Sequence, residues 1–598
     1  MNKIFLLFLF VILSGNISSQ TIDEKEIFSL DFKGNAELYN FVWDDASGNY
    51  CYAYLIPEEK KTFLISPKGK SEKYDFIMTF DTKFDSKGNY FAVSGNYESD
   101  YGIDNYFLII NGKTFKGLEY IESSSSFINK KDEYVFIFKI KEDYYIGYAK
   151  ADGSFRQSEK FDQVKPVFKY IQGRGKEGDN EQIGDEYFYK NAKDERGFII
   201  IQNGKAGMLF GDDIMMTDYS DIHETSLTFN NNKELSFIAK SGGRFYENAG
   251  NEFVVSGDKK YKSFDYVNPP LLFNKDNEPV YKSSDSTEQF LQHSYLVKGD
   301  ERQQVSFDQS EENLKPVLIY EIYEIKFSEN GDFTYYASAD EIIPATPGDV
   351  TTYDEYYVKT YYVKNGKALL LGYNTGNVIY DKEGNIIYTG ISDLKKKEYL
   401  LMRSNGESII IIGKGDYDLI ADYGFMKDGE LYYFGQQFSK DESGRKGSVK
   451  FYLGNNLKNE FENVSYQNFE NGAAMIQFSP ESNEYVICAD ENKGPGQHSS
   501  YLVTDKGKLK FPENTLTGTG KFLNILNIIY TSNGKIFYTG ITELDTTDYS
   551  YTEEIFTNDI SLGKYYRLVQ NIKYNRSDNT IRFLGSRKNK IYSVTVRY

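Results

Sequence analysis

The chain has few of the residues that staple a small domain or ligate metals. Of its 598 residues, two are cysteine, three are histidine and one is tryptophan. Two cysteines cannot build a disulfide scaffold, and Cys51 and Cys488 lie within apolar stretches, which predicts buried free thiols. The histidines are scattered and form no H-E-x-x-H motif. We therefore expect no metal site and no cofactor.

Long apolar runs are also missing beyond the N-terminus. Residues 4–13 are apolar, follow a single lysine and precede small polar residues. This run is too short to cross a bilayer and is typical of a secretory signal peptide. We predict a signal peptide at residues 1–19, cleaved before Gln20, and a mature chain without a transmembrane segment. The protein is then exported to the periplasm or to the outside of the cell.

Positive charge is in deficit, with 69 basic against 88 acidic residues and a formal net charge of −19. Nucleic acids and anionic membrane surfaces attract basic patches, so this balance argues against both as partners. Acidity of this kind also keeps an exported protein in solution, and it identifies no ligand.

Helix signals are scarce, whereas aromatic residues are abundant. No long stretch shows apolar residues at i, i+3, i+4 and i+7 between capping residues. The chain contains 53 tyrosines and 44 phenylalanines but only 12 prolines. Aromatic side chains favour pleated, half-buried surfaces, so we predict an all-β protein.

One short pattern recurs along the whole chain. YDKEGNIIYTGI at 380–391 and YTSNGKIFYTGI at 530–541 both read as an aromatic residue, a turn and a short strand. Other copies begin at Trp43, Phe84, Phe127, Phe229, Phe273, Phe327, Phe425, Phe478 and Tyr574. Successive copies start 41 to 54 residues apart, except for a 102-residue gap after Phe127 that holds a degenerate unit near 167–220. Such a period indicates stacked or radial repeats.

Each period contains a second hairpin signal, a strand followed by a glycine turn. Examples are FLIINGK at 107–113, FIIIQNGK at 198–205 and YLVTDKGK at 501–508. Asn-Gly turns supply the positive φ angles of tight hairpins. One period is therefore two hairpins, or four antiparallel strands, and about 45–50 residues is the size of a propeller blade.

At 478–490 the sequence FSPESNEYVICAD, followed by YLVTDKGK, resembles the TolB-type, WD-like repeat of bacterial envelope proteins. In that family an aromatic residue closes the inner strand, a turn follows, and a second hairpin completes the blade. The resemblance implies a β-propeller fold and no particular activity.

The repeats add up to about twelve four-stranded blades. One propeller ring usually has about 4–8 blades, so two rings of about six are expected. We place the N-terminal propeller at 20–315 and the C-terminal propeller at 316–598; two seven-bladed rings or one larger irregular ring are alternatives. Surplus strand sequence at 26–43 and 310–327 suggests that each ring begins with an extra strand that closes its last blade.

The long loops suggest where a ligand binds. They occur at 94–106, 340–357, 490–500 and 543–554, are rich in acids and tyrosines, and belong to one face of the blades. Tyrosine offers a large contact area and one hydroxyl, which suits recognition of a glycan or a protein. The predicted contacts are Tyr97, Tyr101, Tyr353, Tyr549 and Tyr551. Because these loops are acidic, calcium binding by them stays an alternative.

We therefore predict a secreted binding or interaction module of the bacterial envelope, with a protein or a glycan as its partner. The first alternative is a propeller glycoside hydrolase or lyase that uses carboxylates in a central funnel; three or four acids and an arginine at one channel mouth would indicate it. The second is a structural part of a surface assembly. No G-x-S-x-G nucleophile motif occurs, and the sequence identifies no catalytic residue.

Overall fold

The computed structural model shows an all-β protein, with no helix among the residues that it describes. The described residues are 21–29, 37–44, 49–99, 102–169, 189–191, 193, 195–245, 250–286, 292–303, 306–307, 319–327, 333–343, 355–396, 398–413, 417–437, 447–464, 467–469, 472–479, 481–494, 497–509, 524–532, 534–544, 551–557, 560–565, 567–587 and 590–597. The predicted signal peptide at 1–19 lies outside these residues.

The chain divides into two compact units. The first unit comprises Gly34–Thr375 and Gly406–Ser408, and the second comprises Met1–Lys33, Gly376–Asn405 and Ile409–Tyr598. The boundary that we predicted near residue 315 lies inside the first unit. The number of rings, and their limits, stay a prediction.

The first described strand, β1 (Thr21–Ser29), belongs to the second unit. The strands of the first unit are β2 (Glu37–Asp44), β3 (Asn49–Ile56), β4 (Lys61–Ser66), β5 (Gly69–Lys70), β6 (Phe76–Phe84), β7 (Tyr90–Ser99), β8 (Gly102–Ile110), β9 (Lys113–Leu118), β10 (Tyr120–Ile128), β11 (Tyr134–Ile140), β12 (Asp143–Ala149), β13 (Phe155–Gln157), β14 (Gln163–Pro166), β15 (Gly197–Gln202), β16 (Lys205–Phe210), β17 (Asp213–Met216), β18 (Asp221–Ile222), β19 (Thr228–Phe229), β20 (Leu235–Ser241), β21 (Asn251–Ser256), β22 (Lys259–Lys260), β23 (Tyr266–Phe273), β24 (Pro279–Ser286), β25 (Gln292–Lys298), β26 (Glu301–Arg302), β27 (Ser306–Phe307), β28 (Ile319–Phe327), β29 (Phe333–Ile343), β30 (Glu355–Lys364) and β31 (Lys367–Tyr373).

The remaining strands belong to the second unit. They are β32 (Ile379–Tyr380), β33 (Ile386–Ile391), β34 (Tyr399–Ser404), β35 (Ile409–Gly413), β36 (Leu419–Phe425), β37 (Leu431–Gln437), β38 (Ser448–Leu453), β39 (Asn456–Phe461), β40 (Asn463–Val464), β41 (Gln467–Phe469), β42 (Gly472–Ala474), β43 (Ile476–Phe478), β44 (Tyr485–Gly494), β45 (Gln497–Thr504), β46 (Gly507–Lys508), β47 (Asn524–Tyr530), β48 (Ile536–Leu544), β49 (Tyr551–Thr557), β50 (Ile560–Tyr565), β51 (Arg567–Asn575), β52 (Thr580–Arg587) and β53 (Lys590–Arg597).

Consecutive strands pair antiparallel in groups of four. In the first unit these groups include β2–β5, β6–β9, β10–β13, β14–β17 and β23–β26; in the second they include β36–β39 and β47–β50. In two groups the innermost strand is interrupted, so that β18 and β19 both pair with β20, and β40 and β43 both pair with β44. Four-stranded antiparallel sheets repeated in this way are propeller blades. The predicted fold class, an all-β propeller, is confirmed, and the number of blades stays a prediction.

The N-terminal strand completes the last sheet of the chain. β1 pairs antiparallel with β53, giving the sheet order β1-β53-β52-β51. We predicted that this surplus strand closes a first ring ending near residue 315, and that prediction is wrong. The β23–β26 sheet already has four strands of its own, whereas β51–β53 lack an outer one, and pairing with β1 covers that edge.

The repeated pattern folds into one hydrogen-bonded turn. Asn230 Oδ1 accepts bonds from the backbone N–H groups of Asn232 (3.0 Å) and Glu234 (2.9 Å), and Asn230 Nδ2 donates to Glu234 Oε2 (2.7 Å). A short amide side chain that bonds its own backbone in this way stabilises a turn. The same bonds join Asn129 to Glu133, Asn191 to Glu195 and Asn274 to Glu278.

These turns also bind one another from sheet to sheet. Ser86 donates its backbone N–H and its hydroxyl to the Asp132 carboxylate, at 3.2 and 2.8 Å. The Asn231 backbone N–H donates to Asn277 Oδ1 at 2.8 Å, and each of these pairs is separated by 46 residues. The sequence period is therefore the spacing at which the turn of one sheet contacts the turn of the next.

Both faces of the central strands are buried against neighbouring sheets. Tyr134 and Phe136 of β11 pack with Phe91 of β7, whereas Val135 packs on the opposite face with Phe198 of β15. The Phe91 and Tyr134 rings stack with centroids 5.3 Å apart and planes inclined by 6°. Since successive strand residues point to opposite faces, aromatic residues can fill the space on both sides of a sheet.

Strand glycines accommodate aromatic rings from the neighbouring strand. Gly147 of β12 lies opposite Phe136, and a Cβ at Gly147 would come within 2.7 Å of Phe136 Cζ. Gly197 and Phe210 are paired in the same way, and a Cβ at Gly197 would come within 2.5 Å of Phe210 Cε1. These glycines therefore provide room for a ring in the core.

The two cysteines behave as the sequence predicts. Cys51 and Cys488 are both buried and free. Burial raises the pKa of the Cys51 thiol, so this group stays protonated and packs as a small apolar side chain.

Candidate functional site

A cleft of about 420 Å³ lies between the β10–β13 sheet and the β14–β17 sheet of the first unit. It is at the end of the sheets where β11 turns into β12. We call it the tyrosine cleft; its lining residues are Tyr120, Glu122, Ile137, Lys139, Tyr144, Val164, Lys165, Pro166, Phe168 and Glu224. The charged and aromatic members are half-buried, so they reach solvent while their positions are held by the sheets.

A tight turn places a lysine beside a tyrosine on one wall of the cleft. β11 and β12 are joined at residues 141–142, and the register sets Lys139 directly opposite Tyr144. Lys139 Nζ lies 4.3 Å from the centroid of the Tyr144 ring and 6.0 Å from that of Tyr120. The ammonium group is attracted to the ring faces, which orients both tyrosines.

A hydrogen bond holds the carboxylate on the same wall. The Tyr120 hydroxyl donates to Glu122 Oε2 at 2.6 Å, and the Ser124 hydroxyl donates to the other oxygen of Glu122. Burial, together with the neighbouring Glu122 charge, raises the pKa of Tyr120, so this hydroxyl remains a donor. Glu122 thus faces the cleft as a fixed acceptor.

The opposite wall is fixed by a buried ion pair. Lys165 Nζ contacts Asp221 Oδ2 at 2.8 Å and Oδ1 at 3.0 Å, and Asp221 is completely buried. Asp221 also accepts the backbone N–H groups of Ile222 and Phe245. A buried carboxylate with this many partners is held rigidly, so the position of Lys165 is set by the sheet.

Glu224 enters the cleft from the segment that follows β18. The backbone N–H of Phe168 donates to the Glu224 carbonyl at 2.9 Å, which ties this segment to the end of β14. The described lining of the cleft therefore combines two carboxylates, two ammonium groups and three aromatic rings. Carboxylates only accept hydrogen bonds and ammonium groups only donate them, so a ligand that both donates and accepts can satisfy both kinds.

Tyr97 is the one predicted contact whose side chain is described, and it lies at the same end of the sheets. Its ring is 54% exposed. Its centroid is 5.4 Å from that of Phe76, which is 6.4 Å from that of Tyr106. Tyr106 in turn lies 5.5 Å from Tyr120. A continuous row of aromatic rings thus leads from Tyr97 to the tyrosine cleft.

The other predicted contacts are not brought to this site by the described residues. Tyr101, Tyr353 and Tyr549 lie outside the described residues. Tyr551 begins β49 in the second unit, and its side chain is not among those described. Their role in binding stays a prediction.

Sequence reasoning missed the residues that line the cleft. Tyr120, Lys139 and Tyr144 occur at strand ends beside short turns, whereas the prediction considered only the long loops. Two signals were available: the alternation in Tyr120-Ile121-Glu122, and the adjacent tyrosines Tyr144 and Tyr145, one residue after the two-residue turn at 141–142. Both signals become meaningful only when the neighbouring sheet is known.

Two further observations concern the part of the chain that the structure describes. It contains no group of three or more His, Cys, Asp or Glu side chains arranged to hold a metal ion. Within the same residues, no helix has the length and apolar character needed to cross a membrane.

Comparisons with known proteins give only distant likenesses. No protein-family model matches the chain, and no curated protein sequence does. Solved structures that are similar include a protein of unknown function from Dyadobacter fermentans, with 10% identity and a TM-score of 0.21 over 46% of this chain and 93% of that one. Another is the β-propeller domain of the Trilobed protease from Pyrococcus furiosus, with 10% identity and a TM-score of 0.20 over 55% of this chain and 95% of that one.

A third is prolyl oligopeptidase B from Galerina marginata, with 9% identity and a TM-score of 0.23. That match covers 70% of this chain and 55% of the peptidase. Because these superpositions are poor, the fold assignment rests on the sheets described above. The chain is a β-propeller protein, and its resemblance to the TolB-type repeat stays a prediction.

Proposed function

We propose that this protein is an exported β-propeller binding module of the bacterial envelope or exterior, and that it binds a glycan in the tyrosine cleft. One observation carries the proposal: Tyr120, Tyr144, Glu122 and Lys139 are held by one another in a cleft of about 420 Å³. The N-terminal sequence supports export, to the periplasm or beyond the cell.

The chemistry of the cleft favours a polyhydroxyl ligand. Sugar hydroxyls donate to carboxylates and accept from ammonium groups, and the half-buried tyrosine rings offer faces for the apolar side of a sugar ring. The described lining carries two carboxylates and two ammonium groups, and this balance of charge disfavours a strongly charged ligand. Recognition by aromatic anchors with a few oriented polar groups is typical of small-ligand sites.

The proposal is tested with the full mature chain on a glycan array, followed by calorimetry of the best hit. Replacing Tyr144 by alanine should weaken that binding at least about tenfold, because a ring contact and an orienting partner of Lys139 are both lost. Tyr144→Phe keeps the ring face and should bind more tightly than Tyr144→Ala. Tyr380→Ala removes an exposed tyrosine of the second unit and serves as the control.

An empty glycan array would contradict the proposal. So would a hit whose affinity is the same for Tyr144→Ala and wild type. A pull-down from intact envelopes that recovers a protein partner, lost in Tyr144→Ala, would show instead that the cleft recognises a peptide segment.

A second candidate function, glycoside hydrolysis, is favoured by one observation: Glu122 and Glu224 line the same cleft. Glycosidases generally act through a pair of carboxylates. Among the described lining residues there are two acids and no arginine, whereas three or four acids and an arginine at one channel mouth would indicate an enzyme. Release of reducing ends from polysaccharides by wild type, abolished in Glu224→Gln, would establish the hydrolase; binding without release supports the binding module.

A further inference from the structure

A second cleft opens between the same two sheets, at the end that carries the repeated turns. Its volume is about 180 Å³. It is bordered by the turn after β10, by Lys190, Glu195 and Arg196, and by the turn between β16 and β17. We call it the basic cleft, because its charge is opposite to that of the chain.

Five cationic side chains line the basic cleft: Lys130, Lys131, Arg156, Lys190 and Arg196. Only two carboxylates, Glu195 and Asp212, are among its described lining residues. The whole chain carries a formal net charge of −19. Such a local excess of positive charge in an acidic protein attracts anions to this position.

Part of this charge is already organised by ion pairs. Arg156 contacts Glu133 at 3.0 Å and Asp212 at 3.2 Å, and Lys131 contacts Asp212 at 3.1 Å. The Arg156 guanidinium also lies 3.6 Å from the centroid of the Tyr148 ring. The buried Glu133 and the Tyr148 ring hold Arg156 in position, so little ordering of this side chain is required when an anion binds, and Lys131 forms its ion pair at the exposed rim.

Arg196 lies deeper, against aromatic rings. Its guanidinium carbon is 4.4 Å from the centroid of Phe127, and the Phe127 and Phe198 rings stack at 6.1 Å. Burial lowers the pKa of Arg196 to about 10.

We propose that the basic cleft is a second ligand site, which binds an organic carboxylate with an apolar or aromatic group. The guanidinium of Arg196 pairs with the carboxylate through parallel N–H donors, a geometry that arginine favours. The apolar part of the ligand lies against Phe127 and Phe198. This site is independent of the tyrosine cleft, whose walls are at the opposite end of the same sheets.

The test uses benzoate, acetate and inorganic phosphate as probes, titrated into the full mature chain at constant ionic strength set with chloride. Saturation-transfer NMR and calorimetry report binding. Benzoate should bind saturably and about fivefold more tightly than acetate, since an aromatic contact adds about 1 kcal/mol. Arg196→Gln should weaken benzoate binding at least about tenfold.

The control is Arg582→Gln, which removes the same charge from an exposed arginine of the second unit. It should leave benzoate affinity unchanged, as should Tyr144→Ala in the tyrosine cleft. Lys131→Gln, at a side chain that is 65% exposed, provides a second variant if Arg196→Gln does not fold, and should weaken binding about threefold.

Three results would overturn the proposal. The first is the lack of saturable binding by any of the three probes. The second is benzoate binding no tighter than that of acetate or phosphate, which would show that Phe127 and Phe198 take no part. The third is benzoate affinity that is the same in wild type, Arg196→Gln and Lys131→Gln.

Discussion

Replacing Asn230 by alanine tests whether the repeated turn stabilises the sheets. Asn230 is 5% exposed, and its side chain makes hydrogen bonds to Asn232, Glu234 and Ser256. Alanine removes all of these bonds while leaving the backbone path unchanged. The turn must then be held by its backbone bonds alone.

The magnitude follows from how well the former partners can be solvated. Each lost bond costs about 0.5–1.5 kcal/mol, and a buried partner left without a bond costs about 1–3 kcal/mol. Asn232 and Glu234 are exposed, so water can replace the lost bonds there, whereas Ser256 is buried and keeps only its bond to Ser236. We expect a total loss of about 2–4 kcal/mol in the free energy of unfolding.

Two measurements check this prediction. Urea denaturation followed by far-UV circular dichroism should show a lower midpoint for Asn230→Ala, and Asn232→Ala, at an exposed position of the same turn, should lie within about 0.5 kcal/mol of wild type. Hydrogen exchange should rise in residues 229–235. It should also rise in residues 274–278, because Asn231 bonds Asn274 and Asn277.

The reasoning would be refuted by a loss below about 0.5 kcal/mol, since that is less than the cost of losing a single hydrogen bond. An increase in exchange confined to residues 229–235 would refute the coupling between adjacent turns, even if the stability falls as expected.

Two further predictions concern the core. Burial lowers the pKa of the Lys282 amine from its usual 10.5, and the Glu321 charge partly offsets this effect. At pH values between the folded-state pKa and 10.5, the unfolded chain therefore binds more protons than the folded chain. The free energy of unfolding rises with pH in this range. Lys282→Met should therefore exceed wild type by roughly 0.5–1 kcal/mol at pH 7 and by less at pH 10 in urea denaturation; an equal difference at both pH values would contradict this. Gly147→Ala should cost about 1–3 kcal/mol, because its Cβ would lie 2.7 Å from Phe136 Cζ, and adding Phe136→Leu should recover part of that loss; a neutral Gly147→Ala would show that the ring has room to move.

The local structure of the repeat could be read from the sequence with some accuracy. The Asn-Gly turns have the positive φ angles that we expected, with 48° at Asn111 and 83° at Gly112. Strand tyrosines such as Tyr335 and Tyr538 are 1% and 0% exposed, in line with the packed strands that the aromatic composition predicts. Such features depend on residues that are neighbours in the chain or in one hairpin, so composition and spacing are sufficient to predict them.

The tyrosine cleft could not be found in the same way. Its two walls come from different sheets, and Tyr144 and Glu224 are far apart in sequence. The long loops drew the prediction because length and composition are visible in a sequence, whereas the packing angle between two sheets is not. Of the predicted contacts, Tyr97 is linked to the cleft only through the rings of Phe76, Tyr106 and Tyr120.

The amino-acid sequence by itself determined the strand class, the four-stranded period and the turn chemistry, since these depend on short-range sterics and hydrogen bonds. Only the tertiary structure decided that β1 completes the sheet of β51–β53, and that two clefts of different charge lie at opposite ends of the same pair of sheets. Long-range pairing is decided by which sheet edge is left open and by which faces meet. Those conditions are properties of the assembled sheets, and no single repeat contains them.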